Sequence, residues 1–128
     1  KVTGVQTCAL PIYVPGAIDM TGGTIEEMAE KMLSCSCFVS NDSGVMNVAN
    51  ALGIPLVALF APTNVTTRGP LGKNSVSIAV NKDCSPCEMH VSDKQSLFGS
   101  GECSCIGEIT VKEVMDAIKN INITSGKK

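Results

Sequence analysis

The spacing of apolar and polar residues changes period several times along the chain, and each change marks an element. In TIEEMAEKML, residues 24–33, Ile25, Met28, Ala29, Met32 and Leu33 recur at helical spacing and form one apolar stripe. Thr24 followed three residues later by Glu27 is a capping box, which predicts the start of that helix. Cys37-Phe38-Val39 breaks the period with a short apolar run that predicts a buried strand. A polar hinge follows, Asn41-Asp42-Ser43-Gly44. Val45, Val48, Ala49 and Leu52 then resume helical spacing, and Gly53 is placed to end the helix. Pro55 cannot continue it and opens LVALF, residues 56–60, an aliphatic run of strand length.

Strand, helix and strand in close succession make a βαβ unit with a right-handed crossover. The fold class predicted is α/β, with a Rossmann-like parallel sheet. Residues 61–74, APTNVTTRGPLGKN, are rich in Pro, Gly and Asn and read as a loop. SVSIAV, residues 75–80, alternates and predicts a third strand. Residues 81–108 hold four cysteines and no periodicity, so they read as an irregular excursion. A last helix is predicted from Thr110, boxed by Glu113, with Val111, Val114, Met115 and Ile118 on one face. Residues 122–128 read as a flexible tail.

Composition narrows the picture. The 128 residues suit one small domain. With 44% hydrophobic but 3% aromatic residues and no Trp, the core must rest on aliphatic and Met packing. A formal net charge of -2 without a basic run argues against nucleic acid as a partner. No apolar run reaches the ~18 residues of a membrane-spanning helix. CALPI is too short to be the core of a signal peptide, so a cytoplasmic location is expected. The seven cysteines are then read as reduced thiols or metal ligands rather than disulfides.

The opening residues raise a separate question. VTGVQTCALPI, residues 2–12, is similar to the conceptual translation of a common sequencing-adapter oligonucleotide, although it would also pass as a strand-like N-terminus. Residues 1–12 are therefore expected to be an artefact. On that reading native sequence starts near Tyr13, Cys8 is spurious, and residues 13–121 form part of a larger protein's domain.

Candidate chemistry gathers at the hinge. In a parallel sheet, ligands bind beyond the carboxyl ends of the strands. Asn41–Gly44 leaves one strand and Ala61-Pro62-Thr63 leaves the next, so Asp42, Ser43, Gly44 and Thr63 are expected on one rim. A helix N-terminus presents unspent N–H groups that attract phosphate. Gly44 would admit a ligand close to the backbone, and Ser43 could add a hydroxyl donor. Asp42 would repel a phosphate, and suits capping the helix or bonding a sugar hydroxyl. The plainer reading is that Asp42 or Ser43 simply caps the helix. The dinucleotide fingerprint is missing, because no G-x-G-x-x-G follows a strand.

NDSGVMNVANALGIPLVALFAPT, residues 41–63, resembles the C-terminal domain of the glycosyltransferase family 9 enzymes, the lipopolysaccharide heptosyltransferases. Their signature runs Asp-(Ser/Thr)-Gly-x-(Met/Ser)-His, a small-residue helix, Gly-x-Pro, an aliphatic strand and Gly-Pro-Thr. The lead-in MTGGTIEEMAEKMLSCSCFVSND and the closing ITVKEVMDAI helix extend the likeness over residues 16–121. The resemblance implies the C-terminal, nucleotide-sugar-binding half of a GT-B glycosyltransferase. The donor implied is ADP-heptose or another nucleotide sugar, with no cofactor required. Asp42, Ser43, Gly44, Val45, Met46, Asn47 and Thr63 would bind it. The acceptor implied is the lipopolysaccharide inner core, reached through an N-terminal domain. The parent protein would work at the cytoplasmic face of the inner membrane, with peripheral association there.

Two residues depart from that pattern. Asn47 stands where the family has His, and an amide can donate to a phosphate oxygen but carries no positive charge. Ala61 stands where Gly is usual, which is expected to alter the bend before Thr63. The general base of the family comes from the N-terminal half, so no residue here is assigned a catalytic role, His90 included. The isolated chain is accordingly expected to bind donor weakly at best and to transfer no sugar.

The cysteine loop offers a different function. Cys84-x2-Cys87 followed by Cys103-x-Cys105 could form a tetrahedral zinc site, although the second pair is one residue short of the usual spacing. Two alternatives to the transferase therefore stand, a non-catalytic Rossmann-like nucleotide-binding module and a small zinc-stabilised domain. Cys35 and Cys37 read as small core residues at a strand start.

Overall fold

The computed structural model describes residues 22–81, Ser85 and 105–121. Helix α1, Ile25–Leu33, opens on the predicted capping box, with the Thr24 hydroxyl oxygen accepting from the Glu27 N–H and the Glu27 carboxylate accepting from the Thr24 N–H. Strand β1, Phe38–Asn41, leads through the hinge to α2, Gly44–Ala51, and then to β2, Leu56–Phe60. A one-turn helix α3, Val65–Arg68, precedes β3, Ser75–Ala79. A 3-10 turn at Cys105–Glu108 leads into α4, Val111–Asn120, which carries the second predicted capping box, Thr110 with Glu113.

The three strands form a parallel sheet in the order β1-β2-β3. Leu56 lies between Phe38 and Ser75, and Leu59 between Asn41 and Ile78. Because side chains alternate along a strand, this register sorts them into two faces. Phe38, Leu56, Ala58 and Phe60 join Met46, Ala49 and Ile54 from around α2 and Met32 from α1 in the main core. Val57, fully buried, points the other way, and α4 lies against β2 and β3. A smaller cluster of Ala61, Val80 and Ile109 closes the carboxyl end. The α/β, Rossmann-like parallel sheet expected from the sequence is the one observed.

The central strand is buried almost throughout, which is why its sequence is a continuous aliphatic run. Gly53 ends α2 as anticipated. Its φ of +70° lets its N–H reach the Asn50 carbonyl (3.1 Å) and the Ile54 N–H reach that of Ala49 (3.2 Å). This is a Schellman ending, and it turns Ile54 into the core. An added Cβ at Gly53 would meet no atom within 4 Å, so replacement strains the backbone alone. Gly53→Ala is expected to lower unfolding free energy by about 1–2 kcal/mol, read from urea titration.

Three readings need correction. Of the α1 stripe, Met28 and Met32 pack inward, but Ile25 and Leu33 are 68% and 62% exposed. The helix docks on α2 through its middle, so the two ends of its stripe overshoot the contact. In α4, Val111 and Met115 are likewise exposed. Residues 61–74 are not all loop, since Asn64 caps α3 through its side-chain oxygen, 2.8 Å from the Thr66 N–H. Pro, Gly and Asn around that single turn hide its helical character. Cys35 and Cys37 are half-buried rather than core, and burial pushes the Cys37 thiol up. Residues 1–12, most of 81–104 and the tail 122–128 lie outside the described residues.

Candidate functional site

The parallel sheet places the ends of β1 and β2 on one rim, and the Asp42 N–H donates to the Leu59 carbonyl at 3.2 Å across that rim. Ser43 is the N-cap of α2, with extended backbone and its hydroxyl oxygen accepting from the Met46 N–H at 3.3 Å. Ser40 donates its own hydroxyl proton to the Asn41 carbonyl. The 3.3 Å contact between the Ser40 and Ser43 hydroxyls therefore takes its proton from Ser43. Both functions of the Ser43 hydroxyl are thus spent inside the turn, and its placement is that of a helix cap.

This releases Asp42. Its carboxylate is not needed for capping and takes no hydrogen bond or ion pair from the described residues. It is half-buried and opens on a cleft of about 360 Å³, lined by Asp42, Asn47 and Asn50 on one side. Thr67, Arg68, Gly69 and Leu71 line the other. The β1–α2 turn and the β2–β3 crossover therefore share one concavity at the rim. In the first turn of α2, between Asp42 and Asn47 in sequence, the Gly44 and Val45 N–H groups have no partner among the described residues. Gly44 is exposed, and an added Cβ would meet nothing within 4 Å.

The remaining proposed donor residues fare differently. The Met46 side chain is fully buried in the main core, so only its backbone belongs to the first helical turn. Helical spacing explains this, because Met46 shares the inward face of α2 with Ala49. Val45 packs partly against the same core. Thr63 sits off the cleft with its hydroxyl buried and unbonded among the described residues. Asn47 is exposed on the cleft wall. The methyl group of Ala61 is buried among Val80 and Ile109, and its carbonyl accepts from the Ser85 hydroxyl at 2.8 Å.

Sequence reasoning missed Thr67, Arg68 and Gly69. The available signal was the exit of β2 onto the same rim, together with Asn64 as a cap and Arg68 one turn later. Among the described residues, no three Cys, His, Asp or Glu side chains come together as metal ligands. Of the four thiols proposed for zinc, Cys84, Cys87 and Cys103 lie outside the described residues, as does the side chain of Cys105. No described helix is long and apolar enough to cross a membrane.

A family model for glycosyltransferase family 9 (heptosyltransferase) matches residues 21–97, more than half of the chain. The chain belongs to glycosyltransferase family 9. The matched span contains the whole sheet, the rim turn and both walls of the cleft. Among curated proteins, a lipooligosaccharide heptosyltransferase 2 from Campylobacter jejuni is 26% identical over 100 residues, covering 77% of this chain and 30% of that protein. A namesake from Haemophilus ducreyi is 41% identical over 64 residues, 48% of this chain and 18% of its own length. Lipopolysaccharide heptosyltransferase 2 of Escherichia coli is 50% identical over 38 residues, 30% of this chain and 11% of that protein. The chain thus spans about 30% or less of the length of these relatives. No solved structure matches the chain significantly.

Proposed function

We propose that this chain supplies the donor-binding wall of a heptosyltransferase-type enzyme, holding the diphosphate and sugar of a nucleotide sugar at the rim. The observation that carries the reading is the Asp42 carboxylate, unspent and facing a polar cleft beside the start of α2. The unspent Gly44 and Val45 N–H groups suit phosphate oxygens at the positive end of the helix. Asp42 suits sugar hydroxyls, which donate to a carboxylate. Asn47 supplies neutral amide donors, so phosphate binding rests on backbone groups and Arg68 more than on a charged side chain from α2. The side chains of Thr63 and Val45 are turned inward and support this arrangement rather than touching the ligand.

Names of the relatives support heptose as the sugar and lipopolysaccharide as the destination. ADP-heptose is accordingly the donor proposed. The lipopolysaccharide inner core is the acceptor proposed, offered by a second domain of the parent protein at the cytoplasmic face of the membrane. No residue of this chain is proposed as the general base.

Gly44 separates this reading from a purely structural one. Alanine there meets no neighbour and is the better helix former, so Gly44→Ala is expected to raise stability by about 0.5–1 kcal/mol. Its methyl group would stand where phosphate oxygens approach, so binding of ADP-heptose to the complete protein is expected to weaken. Asp42→Ala should weaken the same binding with little effect on stability. Unchanged affinity in both variants contradicts the site.

A further inference from the structure

The geometry assigns a positioning role to Asn50, a residue that the cleft's chemistry alone would not single out. Asn47 and Asn50 lie one turn apart on the same side of α2, and both border the cleft. The Asn50 side-chain oxygen accepts a hydrogen bond from the Gly72 N–H at 2.8 Å, across 22 residues of sequence. That bond fixes the orientation of the amide, because an N–H donor requires the oxygen to face it. The opposite side of the same peptide segment is tied to the sheet, where the Ser75 hydroxyl donates to the Gly72 carbonyl.

The consequence is mechanical. The cleft wall of Thr67, Arg68, Gly69 and Leu71 is held at either end. At one end, the Gly69 N–H bonds the Val65 carbonyl at 2.8 Å and closes the turn of α3. At the other, Gly72 is pinned to α2 by Asn50. Leu71 between them is 94% exposed, so apolar packing contributes little to holding this stretch. A Cβ on Gly72 would come within 2.6 Å of the Asn50 oxygen, so the close approach depends on glycine. Asn50 therefore sets the width of the cleft between Asn47 and Arg68. This deepens the donor reading and rests on it only where affinity is concerned.

The test follows amide hydrogen exchange by NMR in the 128-residue chain, with ADP as the probe ligand. In Asn50→Ala, exchange at Gly72 is expected to accelerate about fivefold or more, as loss of one net hydrogen bond implies. Amides of Val57 and Ala58 in the central strand should keep their wild-type rates. The ADP dissociation constant should rise several-fold. Asn50→Asp retains an acceptor at the same place, so Gly72 should stay protected in that variant. Unchanged Gly72 exchange in Asn50→Ala, or lost protection in Asn50→Asp, overturns the assignment. So does an unaltered ADP affinity in an Asn50→Ala chain whose Gly72 amide has been freed. A wild-type chain that ignores ADP, with Gly72 responding as expected, overturns the donor reading and leaves the pin established.

Discussion

Phe60→Ala is expected to cost about 3–5 kcal/mol of unfolding free energy, the range for truncating a buried aromatic residue. Phe60 is 1% exposed and is the largest of the fully buried side chains among the described residues. It stands at the carboxyl end of β2, in the core cluster against which Val65 of α3 packs from the crossover. The described sheet around it has three strands, and the sequence offers few aromatic residues to close over a void. Small domains hold about 5–15 kcal/mol in total, so this one substitution should consume a large part of it. A urea titration followed by circular dichroism would show a midpoint shifted far down with an unchanged slope. A loss under about 1 kcal/mol would mean that the core is not centred on β2.

Gly69→Ala should damage the cleft more than the fold. The added methyl group would fall on the Val65 carbonyl oxygen, a backbone atom that cannot rotate away. That carbonyl also accepts the Gly69 N–H, so relieving the clash means opening the turn of α3. Overpacking of this kind costs about 1–3 kcal/mol, and here the strain lands on a surface turn outside the main core. Thr67 and Arg68 would swing away from Asp42 and Asn47. The expected result is a modest drop in melting temperature with loss of measurable ADP binding. Full binding in this variant would mean that the crossover wall does not take part.

How much of this was legible in the sequence depends on where each residue spends its chemistry. Strand β2 could be read because a strand buried on both faces becomes a continuous aliphatic run, and β1 because Phe38 and Val39 open it with a short apolar pair. Helix starts could be read because Thr24 with Glu27, and Thr110 with Glu113, carry their capping bonds in the sequence itself. The outer ends of the α1 and α4 stripes could not, since periodicity marks a face without saying how far a neighbour covers it. Met46 illustrates the same limit within a motif. Its place in a ligand signature pointed to the rim, while its place on the helix put the side chain in the core. Asn50 was invisible for a different reason. Its role arises from the path of the crossover, which brings Gly72, 22 residues away in sequence, within one hydrogen bond of it.

We propose that the rim cleft between α2 and the crossover holds the diphosphate of a nucleotide sugar. Titration of the 15N-labelled chain with ADP, read as amide chemical-shift changes, tests it directly and tolerates weak binding. Saturable shifts are expected at Gly44, Val45, Asn47, Thr67 and Arg68, with α1 and α4 unmoved. Shifts confined to other surfaces, or none at millimolar ADP, would contradict it.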